Sequence, residues 1–353
     1  MTEAKRPAAK PSASSKIGFW LMVPIIGPIA AAGAGYAAWK TNWQLLLKEF
    51  FTGPGRLSRI LLLLFTVLNW KNMPFAWTAR IFYPIYYHHY LRRAPKLGPR
   101  ALFAPVISES FVSLLETDYN IHKSNSTYFA DLDVSRTHLL SYICGAGFRA
   151  VSSNLTNQIV LDPTTKQPPK GSFGIMLGSV HCSFHKEIPP YRGYEMWSRV
   201  LSFDRKWVYI VTHIVPKGLG RPTEWLDPKF KKLNRSSGKE PVKDWEKKVF
   251  ATAISKYVFK LGRLTVHPAV VLGESGLLPE RPGGWLVDDA SPVEDLPDYD
   301  LFSSIEESEW DWQRVEQRRR AGMKYAEKFQ ALDQLQKMFD GGQGPIVGRF
   351  GPG

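Results

Sequence analysis

From about residue 106 to residue 260 the chain alternates apolar and polar positions with a period of two. Val249 to Phe259 sets Phe250, Thr252, Ile254, Lys256 and Val258 against Ala251, Ala253, Ser255, Tyr257 and Phe259, as a strand resting one face on a core does. Strand-like runs also cover Gly174 to Ile188, Tyr194 to Phe203 and Lys206 to Val215, and an earlier β-rich run covers Val106 to Leu115. Between the first two runs the period changes. Ser126 to Ile143 places Phe129, Leu132, Val134, Leu139, Leu140 and Ile143 on a broad helical face, with Asp131, Asp133 and Arg136 among the polar positions. Gly145 and Gly147 are placed to end that helix. The pattern predicts an α+β domain in which an antiparallel sheet lays one face on a central helix.

The flanks read differently. Residues 1–16 are rich in Ala, Lys, Pro and Ser and are expected to be a disordered basic N-terminus. Ile17 to Trp39 carries no charge, lies between Lys16 and Lys40, and has Trp20, Tyr36 and Trp39 near its ends, so 17–39 is expected to be a transmembrane segment. Pro24, Gly27 and Pro28 interrupt it, which argues against a signal peptide and leaves a kinked or re-entrant insertion open. Ile60 to Leu68 is too short to span alone and is flanked by Arg56, Arg59 and Lys71, the mark of an interfacial helix. Phe75 to Tyr90 crowds aromatics around Arg80, His88 and His89, fit either for an anionic membrane surface or for packing on the folded domain. The expected division is therefore a membrane-proximal region at 40–104, a domain at 105–275 with a Lys-rich insertion at 216–248, and an acidic linker with a C-terminal helix (Ser304 to Phe339) at 276–353.

A net charge of +14 over 353 residues and a pI near 9.6 imply anionic partners. No zinc-finger spacing, RNP-like strand or basic helical stripe points to nucleic acid. Two cysteines, Cys144 and Cys182, are too few for a disulfide framework and have no C-x-x-C spacing. His181 and His185 lie four apart on a strand with Cys182 on the opposite face, a poor start for a metal site, and nothing calls for a cofactor. The nucleophile elbow of α/β-hydrolases and the phosphate loop are absent, and Gly145-Ala-Gly147 lacks the third glycine of a dinucleotide fingerprint.

The chemistry concentrates in Glu116 to Tyr128, E-T-D-Y-N-I-H-K-S-N-S-T-Y. A carboxylate, Asp118, ends the β-rich run, and small polar residues precede the helix, whose first N–H groups are unpaired and carry partial positive charge. The spacing resembles the D-x-D-x-x-G-H-x-N-N-x-x-Y signature of hotdog-fold acyl-CoA thioesterases, with Glu116, Asp118, His122, Asn125 and Tyr128 in register. Ile121 stands where that signature has glycine, and Ser124 where it has the first asparagine. With its N-terminal apolar segment the chain is also similar to the membrane-anchored thioesterase superfamily member six type.

The resemblance implies a hotdog fold, Asp118 as general base or nucleophile on the thioester carbonyl, and a backbone N–H at the helix start, Asn125 being the expected donor. His122 and Tyr128 are expected to shape the substrate site, and Lys229, Lys231 and Lys232 in the basic insertion to hold the phosphates of coenzyme A or an anionic lipid. It further implies a homodimer with the acyl tunnel near the shared interface. The expected function is hydrolysis of acyl-CoA at a membrane surface, from a single-pass position in the endoplasmic reticulum or another endomembrane with the domain facing the cytosol. The alternatives are a non-catalytic acyl-lipid or acyl-CoA binding module and a membrane scaffold whose basic insertion docks an acidic partner.

Overall fold

The computed structural model describes residues 32–33, 35–222, 224–230, 244–286, 299–301 and 310–338, and the chain divides into two compact units, Met1–Val67 and Leu68–Gly353. In the first, α1 (Trp43–Thr52) starts where the Asn42 side chain accepts the Leu45 N–H at 3.1 Å. A turn follows in which Gly55 takes a φ of 76°, and Arg59 in α2 (Arg56–Leu68) donates back to the Glu49 carbonyl at 2.7 Å. The two axes are bent by 103°. No single described helix is long and apolar enough to cross a membrane, whereas this bent pair passes by length and composition together. Most of the expected 17–39 segment, and all of 1–16, lies outside the described residues.

The second unit is built on a six-stranded sheet in the order β1-β3-β4-β5-β2, with β6 on β5. The strands are β1 (Val106–Phe111), β2 (Phe173–Phe184), β3 (Gly193–Phe203), β4 (Trp207–Pro216), β5 (Ala251–Leu261) and β6 (Leu264–Val266), all paired antiparallel. The short β6 hairpin, absent from the alternation, depends on Gly262 at a φ of 59°. Bulges at Leu177/Ser179 and Val200/Ser202 add local twist. Gly178 sits in the first, where a Cβ would stand 2.4 Å from the Trp207 ring.

The central helix, α4 (Tyr128–Ile143), enters after β1 and covers one face. Leu139, Leu140 and Ile143 pack with Val200, Val208, Ile210 and Phe259, and Tyr128 and Leu132 with Tyr194, Met196 and Ile214. Each such side chain, fully buried, contributes about 1.5–3 kcal/mol. This is the sheet-on-helix arrangement that the hotdog resemblance implies. Asp131 and Arg136, polar positions of the helical pattern, are both buried: Asp131 is enclosed by Arg80 of α3 (Ala76–Tyr86), Lys71, Lys123 and the Tyr194 hydroxyl, and Arg136 donates to Ser255 of β5 and lies over the Tyr257 ring. The helix ends at Ile143, just before the two glycines as expected, and Gly145 and Gly147 then open α5 (Gly145–Ser152), where a Cβ on Gly147 would stand 2.1 Å from the Val271 carbonyl of α6 (Pro268–Glu274).

The other face of the sheet is covered as well. Helix α7 (Trp312–Ala331), capped by Asp311 accepting the Arg314 N–H at 2.9 Å, sets Ala326 and Phe329 against Tyr209 and the flanking Leu201, Trp207 and Ile254. It approaches so closely that a Cβ on Gly322 would lie 2.2 Å from the Leu201 carbonyl. The helix begins eight residues later than Ser304, and is a layer of the domain. Of the acidic stretch before it, 287–298 and 302–309 lie outside the described residues.

Candidate active site

After β1 the chain makes a one-turn helix, Leu114–Glu116, closed by a reciprocal cap in which Glu116 Oε2 accepts the Ser113 N–H at 2.9 Å. Thr117 bridges Lys123 across a tight hairpin. The Asp118 N–H donates to the His122 carbonyl and the Ile121 N–H to the Asp118 carbonyl, both at 3.0 Å. Ile121 occupies the left-handed region at a φ of 61°. The backbone therefore keeps the conformation that suits the signature glycine, although a β-branched residue is strained there. The hairpin is stitched to its neighbours by the Lys123 N–H on the Ile188 carbonyl at 2.8 Å and the Ser124 N–H on the Glu116 carbonyl at 2.7 Å. The chain then passes through the turn Asn125–Thr127 into α4.

Beneath the hairpin lies a buried ion cluster. Lys123 Nζ is 2.9 Å from Glu116 Oε1 and 2.9 Å from Asp131 Oδ2, and Lys71 Nζ is 2.8 Å from Glu116 Oε2 and 3.3 Å from Asp131 Oδ2. Arg80 and the Tyr194 hydroxyl also donate to Asp131, and Lys71 donates to the Phe111 carbonyl at 2.6 Å. Burial works to raise the Asp131 carboxyl, but Lys123, Lys71 and Arg80 hold it well below the ordinary carboxylate range. Burial lowers Lys71 against the pull of Asp131 and Glu116, and raises Tyr194, which stays a hydroxyl donor. Two carboxylates meet three cations here, and each charge has a partner, the condition under which buried ions are tolerated. The cluster ties the segment before α3, the hairpin, α4 and β3 together.

The motif residues divide between this cluster and the surface. The Glu116 side chain is buried and spent on the two lysines. Asp118 stays at the half-buried hairpin tip, where Oδ1 accepts the Asn120 N–H at 2.9 Å. Asn125 is exposed in the first turn leading to α4, and His122 Nε2 reaches Glu187 Oε2 at 3.1 Å. Tyr128 is buried, edge-on to Phe184, with Lys123 Nζ 5.2 Å over its ring. Lys229 lies apart from these, its Nζ 3.2 Å from the Tyr87 hydroxyl, and Lys231 and Lys232 are outside the described residues.

Lys71, Arg80, Lys123, Asp131 and Tyr194 are absent from the site residues expected from the sequence. Lys123 sits inside the motif, and its only signal is a position across the hairpin from Glu116. The other four converge from distant elements. A second polar group near α4 was equally silent: His88 Nε2 meets His138 Nδ1 at 3.3 Å, while Asp227 accepts from Arg92 and from the Tyr142 hydroxyl.

The arrangement can present a carboxylate beside a helix N-terminus on a rigid support, which suits attack of water on an activated carbonyl. A family model described as the thioesterase-like superfamily matches residues 112–227, from the end of β1 to Asp227. Over 317 residues the chain is 35% identical to the thioesterase poxG of Penicillium oxalicum, a match covering 87% of this chain and 94% of that protein. It is 32% identical over 328 residues to the probable thioesterase atnL of Emericella nidulans, covering 88% and 95%. The thioesterase lcsJ of Purpureocillium lilacinum is 31% identical over 245 residues, covering 63% and 72%. On a similarity that spans most of its length, the chain belongs to the thioesterase-like superfamily.

Proposed function

We propose that this protein hydrolyses thioesters, with acyl-CoA as the substrate class and Asp118 as the general base. The observation that carries the reading is the hairpin itself, which holds Asp118 at its tip and runs straight into the first turn of α4, where N–H groups lack intrahelical acceptors. Water adds to the carbonyl carbon as its proton passes to the Asp118 carboxylate. The oxyanion takes hydrogen bonds from the helix start, with the Asn125 N–H as donor. Collapse breaks the C–S bond and the thiolate takes the proton back. Asp118→Asn keeps the shape and the Asn120 contact but cannot accept the proton, so turnover of an acyl-CoA panel should fall about 10²–10⁴-fold with an unchanged melting temperature. Turnover at the wild-type rate would remove Asp118 from this role.

The binding-module reading keeps one observation in its favour. Ile121 replaces the glycine of the signature and Asp118 is already engaged within its own turn. Acyl-CoA binding by the wild-type chain without any turnover would select it.

The reading extends to assembly and location. We place the homodimer contact at β2, which among the described residues is one of the two edge strands of the sheet and exposes Ile175, Met176 and Leu177. We place the protein on a membrane in the manner of the member six type. Leu57, Leu61, Leu62 and Leu64 of α2 are exposed beside Arg56 and Arg59, and apolar residues flanked by cations suit an anionic interface. The domain faces the cytosol in this reading, in keeping with free Cys144 and Cys182. The glycosylation acceptors Asn125, Asn154 and Asn234 stay bare in this reading; Asn125 is exposed, Asn154 is buried with its amide donating to the Val160 carbonyl at 2.8 Å, and Asn234 lies outside the described residues. Protease protection on intact microsomes tests the orientation, and a protected, glycan-bearing domain would reverse it.

A further inference from the structure

On the face of the sheet opposite α4, near the start of β5, a cavity of about 640 Å³ is lined by His185, Lys186, His213, Trp245, Lys247 and Thr252. Thr212 hydrogen-bonds to Ser198, which bonds to Ser135 of α4, so the next residue, His213, points the other way and into this cavity. Arg199 faces the same side, and its Nε has no hydrogen-bond partner among the described residues. Burial, then Arg199 and His185, lower His213 to about 4, and burial with Arg318 lowers Arg199 to about 10. Burial is the larger cause of both shifts, and the neighbouring cations add to it.

The rim adds further positive charge. Lys186 and Lys247 are exposed; Lys247 shares a surface ion pair with Asp244 at 3.2 Å, and Glu187 is turned to His122. Among the described residues of the lining, Glu246 is the one carboxylate. Trp245 stands half-exposed as a flat apolar wall. Cations around an open indole match a ligand that joins phosphates to an aromatic ring, and base stacking on such a ring is worth about 1–3 kcal/mol.

We propose that this cavity binds the phosphate-bearing end of a nucleotide, with Lys186, Lys247 and His213 toward the phosphates and Trp245 stacked on the base. Its place in the chain links it to the motif hairpin. The segment that supplies His185 and Lys186 continues into Glu187, which pairs with His122, and Ile188, whose carbonyl holds the Lys123 N–H. A nucleotide seated here is the carrier end of a thioester; a free nucleotide would use the same contacts. Only the identity of the carrier rests on the thioesterase reading.

Calorimetry on the full chain separates the cases, using coenzyme A, pantetheine, ADP and pyrophosphate as probes. Coenzyme A should bind at least tenfold more tightly than pantetheine, which lacks the nucleotide. Lys186→Gln with Lys247→Gln should erase that difference without moving the melting temperature, both side chains being exposed, and Trp245→Leu should weaken ADP more than pyrophosphate. A double variant that retains the tenfold preference overturns the site, as does a wild type that binds pantetheine and coenzyme A alike. ADP binding tightly while coenzyme A does not would assign the cavity to a free nucleotide. Nucleotide-dependent binding without acyl-CoA turnover would sink hydrolysis and leave the site standing; turnover with a KM indifferent to both lysines would do the reverse.

Discussion

Lys123 Nζ stands 2.9 Å from Asp131 Oδ2, and neither side chain is exposed to solvent. The pair locks the motif hairpin onto the first turns of α4, so the position of Asp118 depends on a contact it does not itself make. Lys123→Ala should leave Asp131 and Glu116 short of a cation and cost about 3–5 kcal/mol. Urea unfolding would measure it. A loss below about 1 kcal/mol would mean that Lys71 and Arg80 suffice.

Ile121 carries the opposite sign. At a φ of 61° a β-branched side chain is strained by about 1–3 kcal/mol, and the position is exposed. Ile121→Gly should therefore raise stability by about 1 kcal/mol after the extra freedom of the unfolded glycine is subtracted. A lower urea midpoint would show that the side chain makes a contact worth more than the strain.

The His88–His138 pair sets an acid limit. Burial lowers both to about 4, with His138 and Arg92 adding to the effect on His88, so the unfolded chain binds more protons than the folded one between about pH 4 and 6.5. The stability these groups contribute is complete above about 6.5 and lost as pH falls toward 4, at about 1.4 kcal/mol per histidine and pH unit while each stays buried and neutral. Asp131, held low by its cations, adds its own loss below about pH 4. His138→Gln should flatten the upper part of the profile; an unchanged slope between pH 6.5 and 4.5 would count against the pair.

The edge at β2 gives an assembly test. Met176→Lys and Leu177→Lys place charge on exposed positions, so they should convert a dimer to monomer in sedimentation without lowering the melting point of the monomer. A dimer that survives both uses another surface.

The sheet and its central helix were legible because their signal is local. The alternation at Val249 to Phe259 and the period change at Ser126 follow from side-chain direction alone, and the motif residues fall in one short segment. The ion cluster was not, since Lys71 and Arg80 lie 60 and 51 residues from Asp131 in sequence and each reads alone as a surface cation. The burial of Asp131 and Arg136 was equally hidden: periodicity registers them as polar positions, and a buried, paired charge is still polar. Gly145 and Gly147 were legible as the end of the central helix, but not as the start of α5, because propensity cannot see the Val271 carbonyl that requires the absence of a side chain at Gly147.

The layering of the sheet also bears on how the protein is made. All six strands precede α7 in the chain, so they leave the ribosome before the helix that covers Tyr209, Leu201 and Ile254 exists. Throughout that interval one side of the nascent sheet is open, and Lys256, later paired with Asp333 beneath the helix, sits in water. A ribosome-stalled chain ending before Trp312 thus leaves that side of the sheet without its cover, open to chaperones and to its own copies on polysomes until α7 has emerged.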